Sequence, residues 1–208
     1  METYDNSLRA TDDPDGIEEA REQILAWILP GFMNRAEVIE AATEYLEDEG
    51  RLTGQQVEQF VDELWRARLA EQQRWPDRTD ADNVTAAFAE LEAAGIVARM
   101  NFTCCQTCGS TEIFDERPAD RPSTGYVFFH SQDAERLADD PAYLFLAYGA
   151  FDAPEHEWPA RVTAVGEQVA GVLRAHGLPV TWDGSSGQRI QVGPLTWLNR
   201  LPEAVQDT

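Results

Sequence analysis

Phe88-Ala89-Glu90-Leu91-Glu92-Ala93-Ala94-Gly95-Ile96-Val97-Ala98-Arg99-Met100-Asn101-Phe102 decides the fold class. Up to Ala94 the apolar residues keep helical spacing, Val84, Phe88 and Leu91 forming one row. Gly95 then offers a residue that takes the left-handed C′ conformation without a Cβ penalty. From Ile96 to Phe102 the chain reads as a strand. A helical half before this switch and a strand-bearing half after it predict an α+β protein. The predicted arrangement is an N-terminal helical bundle packed against a C-terminal mixed β-sheet with two helices. The boundary is placed at Gly95, giving a helical region at 1–95 and an α+β domain at 96–208.

Upstream of the switch, three more helices are expected. Asp13-Pro14-Asp15-Gly16 reads as a turn, followed by a helix from Ile17 to Leu29 that Pro30-Gly31 ends. Asn34 can cap a second helix to Asp48, with Val38, Ile39, Ala42, Tyr45 and Leu46 on one stripe and Gly50 as the stop. Thr53 and Gln56 form a capping box for a long helix to Trp75, with Val57, Phe60, Val61, Leu64 and Leu69 as its apolar row. Asp80 or Asp82 opens the fourth.

Downstream, Gly125 to His130 is a strand and Ser131 can cap a short helix over 132–138. Tyr143 to Tyr148 is nearly all apolar, as a central strand requires. Pro159 to His176 is an amphipathic helix with Val162, Val165, Val169, Val172 and Leu173 on one face. Leu178 to Trp182 and Arg189 to Val192 flank Asp183-Gly184-Ser185-Ser186-Gly187 as a hairpin. Leu178, Val180 and Trp182 alternate onto the face expected to meet that helix.

Hydrophobic residues at 43% and charged residues at 26% are globular proportions and exclude disordered and fibrous classes. The acidic, polar opening has no secretory signal and no apolar run has bilayer length, so a cytoplasmic protein with no membrane contact is expected. The formal charge is −22, and every basic residue is arginine, which suggests a GC-rich genome. Residues 1–100 carry nine arginines against 23 acids, residues 101–208 seven against 15. Neither half has the basic footprint that phosphate binding needs, so no nucleic-acid partner is expected. Helix, Gly95 and strand imitate a winged helix-turn-helix, but Glu90 and Glu92 stand where a recognition helix carries Arg, Lys or Asn.

Thr103-Cys104-Cys105-Gln106-Thr107-Cys108-Gly109 is the most specific local motif. Two thiolates three residues apart on a turn can face one ion, as in one half of a zinc site. A structural site needs four ligands, so the others must come from Cys104, His130, His156 or His176, and His130, ending a strand expected beside the first, is the best candidate. Cys104 fits less readily, because adjacent side chains on an extended strand point to opposite faces. Thiol redox chemistry is a weaker expectation, since the stretch after Cys108 is too short for a dipole-activated cysteine before Pro118. The simplest alternative packs the three thiols as small apolar groups. His130-Ser131-Gln132-Asp133 likewise divides between acid–base work and helix capping.

The second half resembles a bacterial domain family of unknown function common in actinobacteria. The resemblance lies in Phe102-Thr103-Cys104-Cys105-x-x-Cys108-Gly109, Gly125-Tyr126-Val127-Phe128-Phe129-His130-x-Gln132-Asp133, Tyr148-Gly149, and Gly177-Leu178-Pro179-Val180-x-Trp182-x-Gly184 with Arg189-Ile190. It spans residues 96–194, implies no activity and assigns no catalytic residue. It does make the Cys cluster and the His-x-Gln-Asp segment parts of one signature. The leading functional expectation is a protein-binding or regulatory module that meets its partner through the acidic helical half. The alternative is a metal- or thiol-dependent enzyme centred on Cys105, Cys108 and His130, with zinc as the implied cofactor.

Overall fold

The structure, a computed structural model, describes residues 14–47 and 53–202. The expected turn residue Asp13, the stop at Gly50 and the last residues of the tail lie outside the described residues. Spatial proximity divides the chain into two compact units, Met1–Trp75 with Arg200–Thr208, and Pro76–Asn199.

The first unit contains α1 (Pro14–Ile28), α2 (Arg35–Glu47) and α3 (Gly54–Gln72). Helix α1 starts at Pro14, earlier than expected, because proline's fixed φ suits the first helical turn. The Asn34 side chain accepts from the Ala36 and Glu37 amides at 2.9 and 3.1 Å, and Glu37 reaches back to the Asn34 amide at 2.7 Å. Thr53 and Gln56 form the expected capping box. Ile24, Ile28, Val38, Ala42, Leu46, Val57 and Val61 are fully buried in one core, and Leu201 joins it. Leu69 is 40% exposed, because Val57, Val61, Leu64, Trp65 and Arg68 occupy the inward stripe of α3 instead. The buried Arg68 donates from its two terminal nitrogens to Glu71 at 3.0 Å and to the Leu29 carbonyl at 3.2 Å.

The second unit begins with α4 (Asp80–Ala93), capped by a reciprocal box between Thr79 and Asp82. Gly95, at φ 83°, ends it as expected. The strands are β1 (Ile96–Arg99), β2 (Gly125–Phe128), β3 (Ala142–Ala150), β4 (Val180–Thr181) and β5 (Ile190–Leu195), in the order β1-β2-β3-β5-β4. Only β1 and β2 are parallel, and β3 lies at the centre, as its apolar sequence requires. The remaining helices are α5 (Gln106–Glu112), α6 (Ser131–Glu135) and α7 (Trp158–Ala175).

Helix α4 packs on β1 and on α7, and α7 packs on β2 and β3. The boundary expected at Gly95 therefore falls inside the second unit. The buried row Ala81, Val84, Ala87, Phe88 and Leu91 serves the sheet, and Gly95 is a tight connection within one core. Trp182 meets α7 as expected: its ring occupies the space over Gly166 and stands edge-on to Tyr148, with centroids 5.8 Å apart. Among the described residues no helix is long and apolar enough to cross a membrane.

Candidate functional site

Strand β1 ends at Arg99, sooner than its apolar sequence suggests, because the chain then bends twice. Asn101 (φ 49°) and Thr103 (φ 58°) both take left-handed backbone, a conformation few non-glycine residues adopt. The bent segment is fastened to the end of β2. The Phe102 amide donates to the Phe129 carbonyl at 2.8 Å, and the Thr103 carbonyl accepts from the Ser131 amide at 3.1 Å and hydroxyl at 2.8 Å. Ser131 thus holds this turn. The expected cap role passes to His130.

Helix α5 follows directly and was not expected from the sequence. Cys105 is its N-cap residue, extended at φ −151° and ψ 169°. Gly109, on the buried side, lies against the Phe128 ring so closely that a Cβ there would overlap it. That contact seats α5 over the sheet, where its C-cap residue Ile113 joins the buried cluster of Val97, Phe128, Ala147 and Phe151. The result is that Cys104, Cys105 and Cys108 converge, with their sulfur atoms all within 4.8 Å of one another. The Cys104 and Cys108 sulfurs are 3.5 Å apart. Cys104 is exposed and the other two are half-exposed. Three apolar-packed thiols, the simplest reading of the sequence, is therefore not what the chain builds.

The three thiols do not share protons evenly. The Cys105 thiol is held below its ordinary range, first by the Cys108 backbone amide and then by the neighbouring Cys108 and Cys104 thiols. The amide closes no formal cap hydrogen bond, so it acts as a nearby dipole. Cys108 is pushed up to about 12, chiefly by its hydrogen-bonding contacts with the Cys104 and Cys105 sulfurs.

His130 is not in this cluster. It caps α6, its Nδ1 accepting from the Asp133 amide at 3.3 Å while the Asp133 carboxylate accepts from the His130 amide at 3.5 Å. The ring is buried, its Nε2 lying 3.0 Å from the same carboxylate. Arg189 closes the group with a two-pronged contact to Asp133, one arm at 3.1 Å, and also donates to the Phe145 carbonyl. Burial lowers the His130 pKa against the opposing pull of Asp133, so the ring is neutral at neutral pH. The group is a buried helix cap locked by an arginine. Sequence reading placed Arg189 in the family motif and the hairpin but not against Asp133, 56 residues away.

An open groove of about 580 Å³ starts at Gln106, beside Cys105, and is lined by Trp182, Asp183, Gln188, Arg189 and Gln191. The profile of a family described as "Domain of unknown function (DUF6891)" matches residues 13–201. The chain belongs to this family. The DUF6891 match includes the helical residues before Gly95, whereas the motifs quoted above lie only after it. No curated protein and no solved structure matches the chain. The Cys-Cys-x-x-Cys turn of this DUF6891 protein can hold a metal ion through three sulfurs.

Proposed function

We propose that the chain binds a soft divalent ion of the zinc type through Cys104, Cys105 and Cys108, leaving the fourth coordination position open to an outside ligand. The convergence of three sulfurs at the surface carries this reading. Four thiolates around zinc at about 2.3 Å stand about 3.8 Å from one another, so the 3.5 Å Cys104–Cys108 separation needs little adjustment. Structural zinc sites are closed by four protein ligands, and sites that act on an outside ligand keep one position free. With His130 committed to its cap, the three thiols are of the second kind. The ion would polarise whatever occupies the free position. The protein-docking reading of the acidic helical half rests on charge alone, so the thiol centre takes precedence.

Elemental analysis of protein purified without an affinity tag, beside thermal unfolding with and without a strong chelator, tests this. About one ion per chain and a chelator-dependent loss of stability are expected. Cys104→Ser, Cys105→Ser and Cys108→Ser should each lose the ion, and His130→Asn should keep it. Protein that holds no ion and takes up none of added zinc overturns the proposal.

A further inference from the structure

We propose that the same turn performs thiol–disulfide exchange with low-molecular-weight disulfides, ending in an intramolecular Cys104–Cys108 bond that discharges the ion. The discharge rests on the metal reading above; the exchange does not. Three observations support it. Cys104 is the exposed member of the cluster, so a small disulfide in solution reaches its sulfur first. Cys108 already stands 3.5 Å from that sulfur, and the two need approach only to bonding distance, about 2 Å. The turn is anchored at Phe102 and Thr103, on the chain before Cys104, and α5 is seated separately by Gly109 on Phe128, so the Cys104 side chain can turn toward Cys108 with both anchors kept.

The chemistry balances in two displacements. The Cys104 sulfur, as thiolate, attacks a small disulfide RS–SR. A Cys104–SR bond forms, the RS–SR bond breaks, and the first RS⁻ leaves with the proton Cys104 gave up. The Cys108 thiol then attacks Cys104, giving up its proton to the departing RS sulfur as the new bond forms. The Cys104–Cys108 bond forms, the Cys104–SR bond breaks, and the second RS⁻ leaves with the Cys108 proton. The protein is oxidised by two electrons and the disulfide is reduced to two RSH. Cys105 is left as a single thiolate, which cannot hold an ion that needed three.

The test treats full-length protein, zinc-loaded and chelator-stripped in parallel, with oxidised glutathione. Free thiols are counted, the mass is measured, bonded residues are mapped by fragmentation, and released zinc is read with a chromogenic chelator. In the stripped protein three free thiols should fall to one, with a mass loss of about 2 Da, and the bond should map to Cys104 and Cys108. In the loaded protein zinc release should follow thiol loss one for one. Cys104→Ser should abolish the internal bond, whereas Cys105→Ser should still form it. A bond that maps to Cys105 and Cys108, or a glutathione adduct that persists on Cys104, overturns the exchange in both samples. Oxidation of the loaded protein with zinc retained overturns only the discharge. If zinc never binds, the stripped sample still decides the exchange.

Discussion

At the scale of single residues, the thiol turn was legible in part. The spacing of Cys105 and Cys108 announces a shared turn, and they do share one. Cys104 was expected to face away, on the premise that β1 runs on through it. Two left-handed residues, Asn101 and Thr103, remove that premise, and neither is a glycine that would mark the bend in sequence. His130 was misplaced for a different reason: a histidine beside a cysteine motif suggests a ligand, and only the fold shows its Nδ1 already taken. Two outcomes follow at this scale. In metal-free protein near neutral pH, a short pulse of iodoacetamide should label the exposed Cys104 and the lowered Cys105 before Cys108. The lowered thiol supplies thiolate, and the one at about 12 keeps its proton. Fragment masses of the labelled peptide read the order, and early labelling of Cys108 would contradict it. His130 gives a pH dependence. Its folded pKa lies below the unfolded value near 6.5, so the folded state binds this proton less readily than the unfolded chain. Its contribution is complete above about pH 6.5 and fades as the pH falls toward the depressed folded value. Asp133 pulls against that shift, and Arg189 and Arg136 reinforce it. Denaturant midpoints at about pH 7.5 and 6, where carboxylates remain mostly ionised, should fall for wild type and fall less for His130→Asn. Equal losses in the two proteins would remove His130 from the account.

At the scale of elements, helix ends were the most readable feature. Asn34, Thr53 with Gln56, Gly95 and Gly177 all sit at the helix termini their chemistry favours. Those signals are local, involving side chains and backbone three or four residues apart, and so survive in sequence. Helix α5 was missed because its seven residues, Gln106–Glu112, carry no apolar row of their own. What holds it in place is tertiary, the close approach of Gly109 to Phe128. Gly109→Ala should therefore act through that ring. The added methyl overpacks the contact and should cost about 1–3 kcal/mol, and it should also shift Cys108, one residue away. Paired with Phe128→Leu, which opens space, the substitution should cost less than the two single losses together, as contacting residues do. Additive losses in denaturant titrations would mean that α5 is not seated on Phe128. Ser131 was expected to cap α6. It instead fastens the thiol turn, a role that depends on the Thr103 carbonyl 28 residues away.

At the scale of the whole molecule, the change of hydrophobic period at Gly95 marks a change of element, while the compact units divide after Trp75. Period reports how a segment folds locally and is silent about what its apolar face meets. Helix α4 has the same amphipathic pattern as α1–α3, yet its buried row packs on β1, and Phe88 stands edge-on to Phe129 at 5.9 Å. The division after Trp75 makes a direct prediction for fragments. Residues 76–199 contain α4, all five strands, α7 and the whole thiol turn, and should unfold cooperatively with the labelling order of the intact chain. Residues 96–208, cut where the sequence pattern changes, lack Val84, Phe88 and Leu91, each buried to within 3% exposure. Each such side chain contributes about 1.5–3 kcal/mol by its burial, and three of them approach the total stability of an ordinary domain, about 5–15 kcal/mol. This shorter fragment should therefore lack a cooperative transition and label its three thiols without order. Calorimetry and pulse alkylation of the two fragments side by side decide the matter. A folded 96–208 beside an unfolded 76–199 would return the boundary to Gly95 and make α4 part of the helical unit.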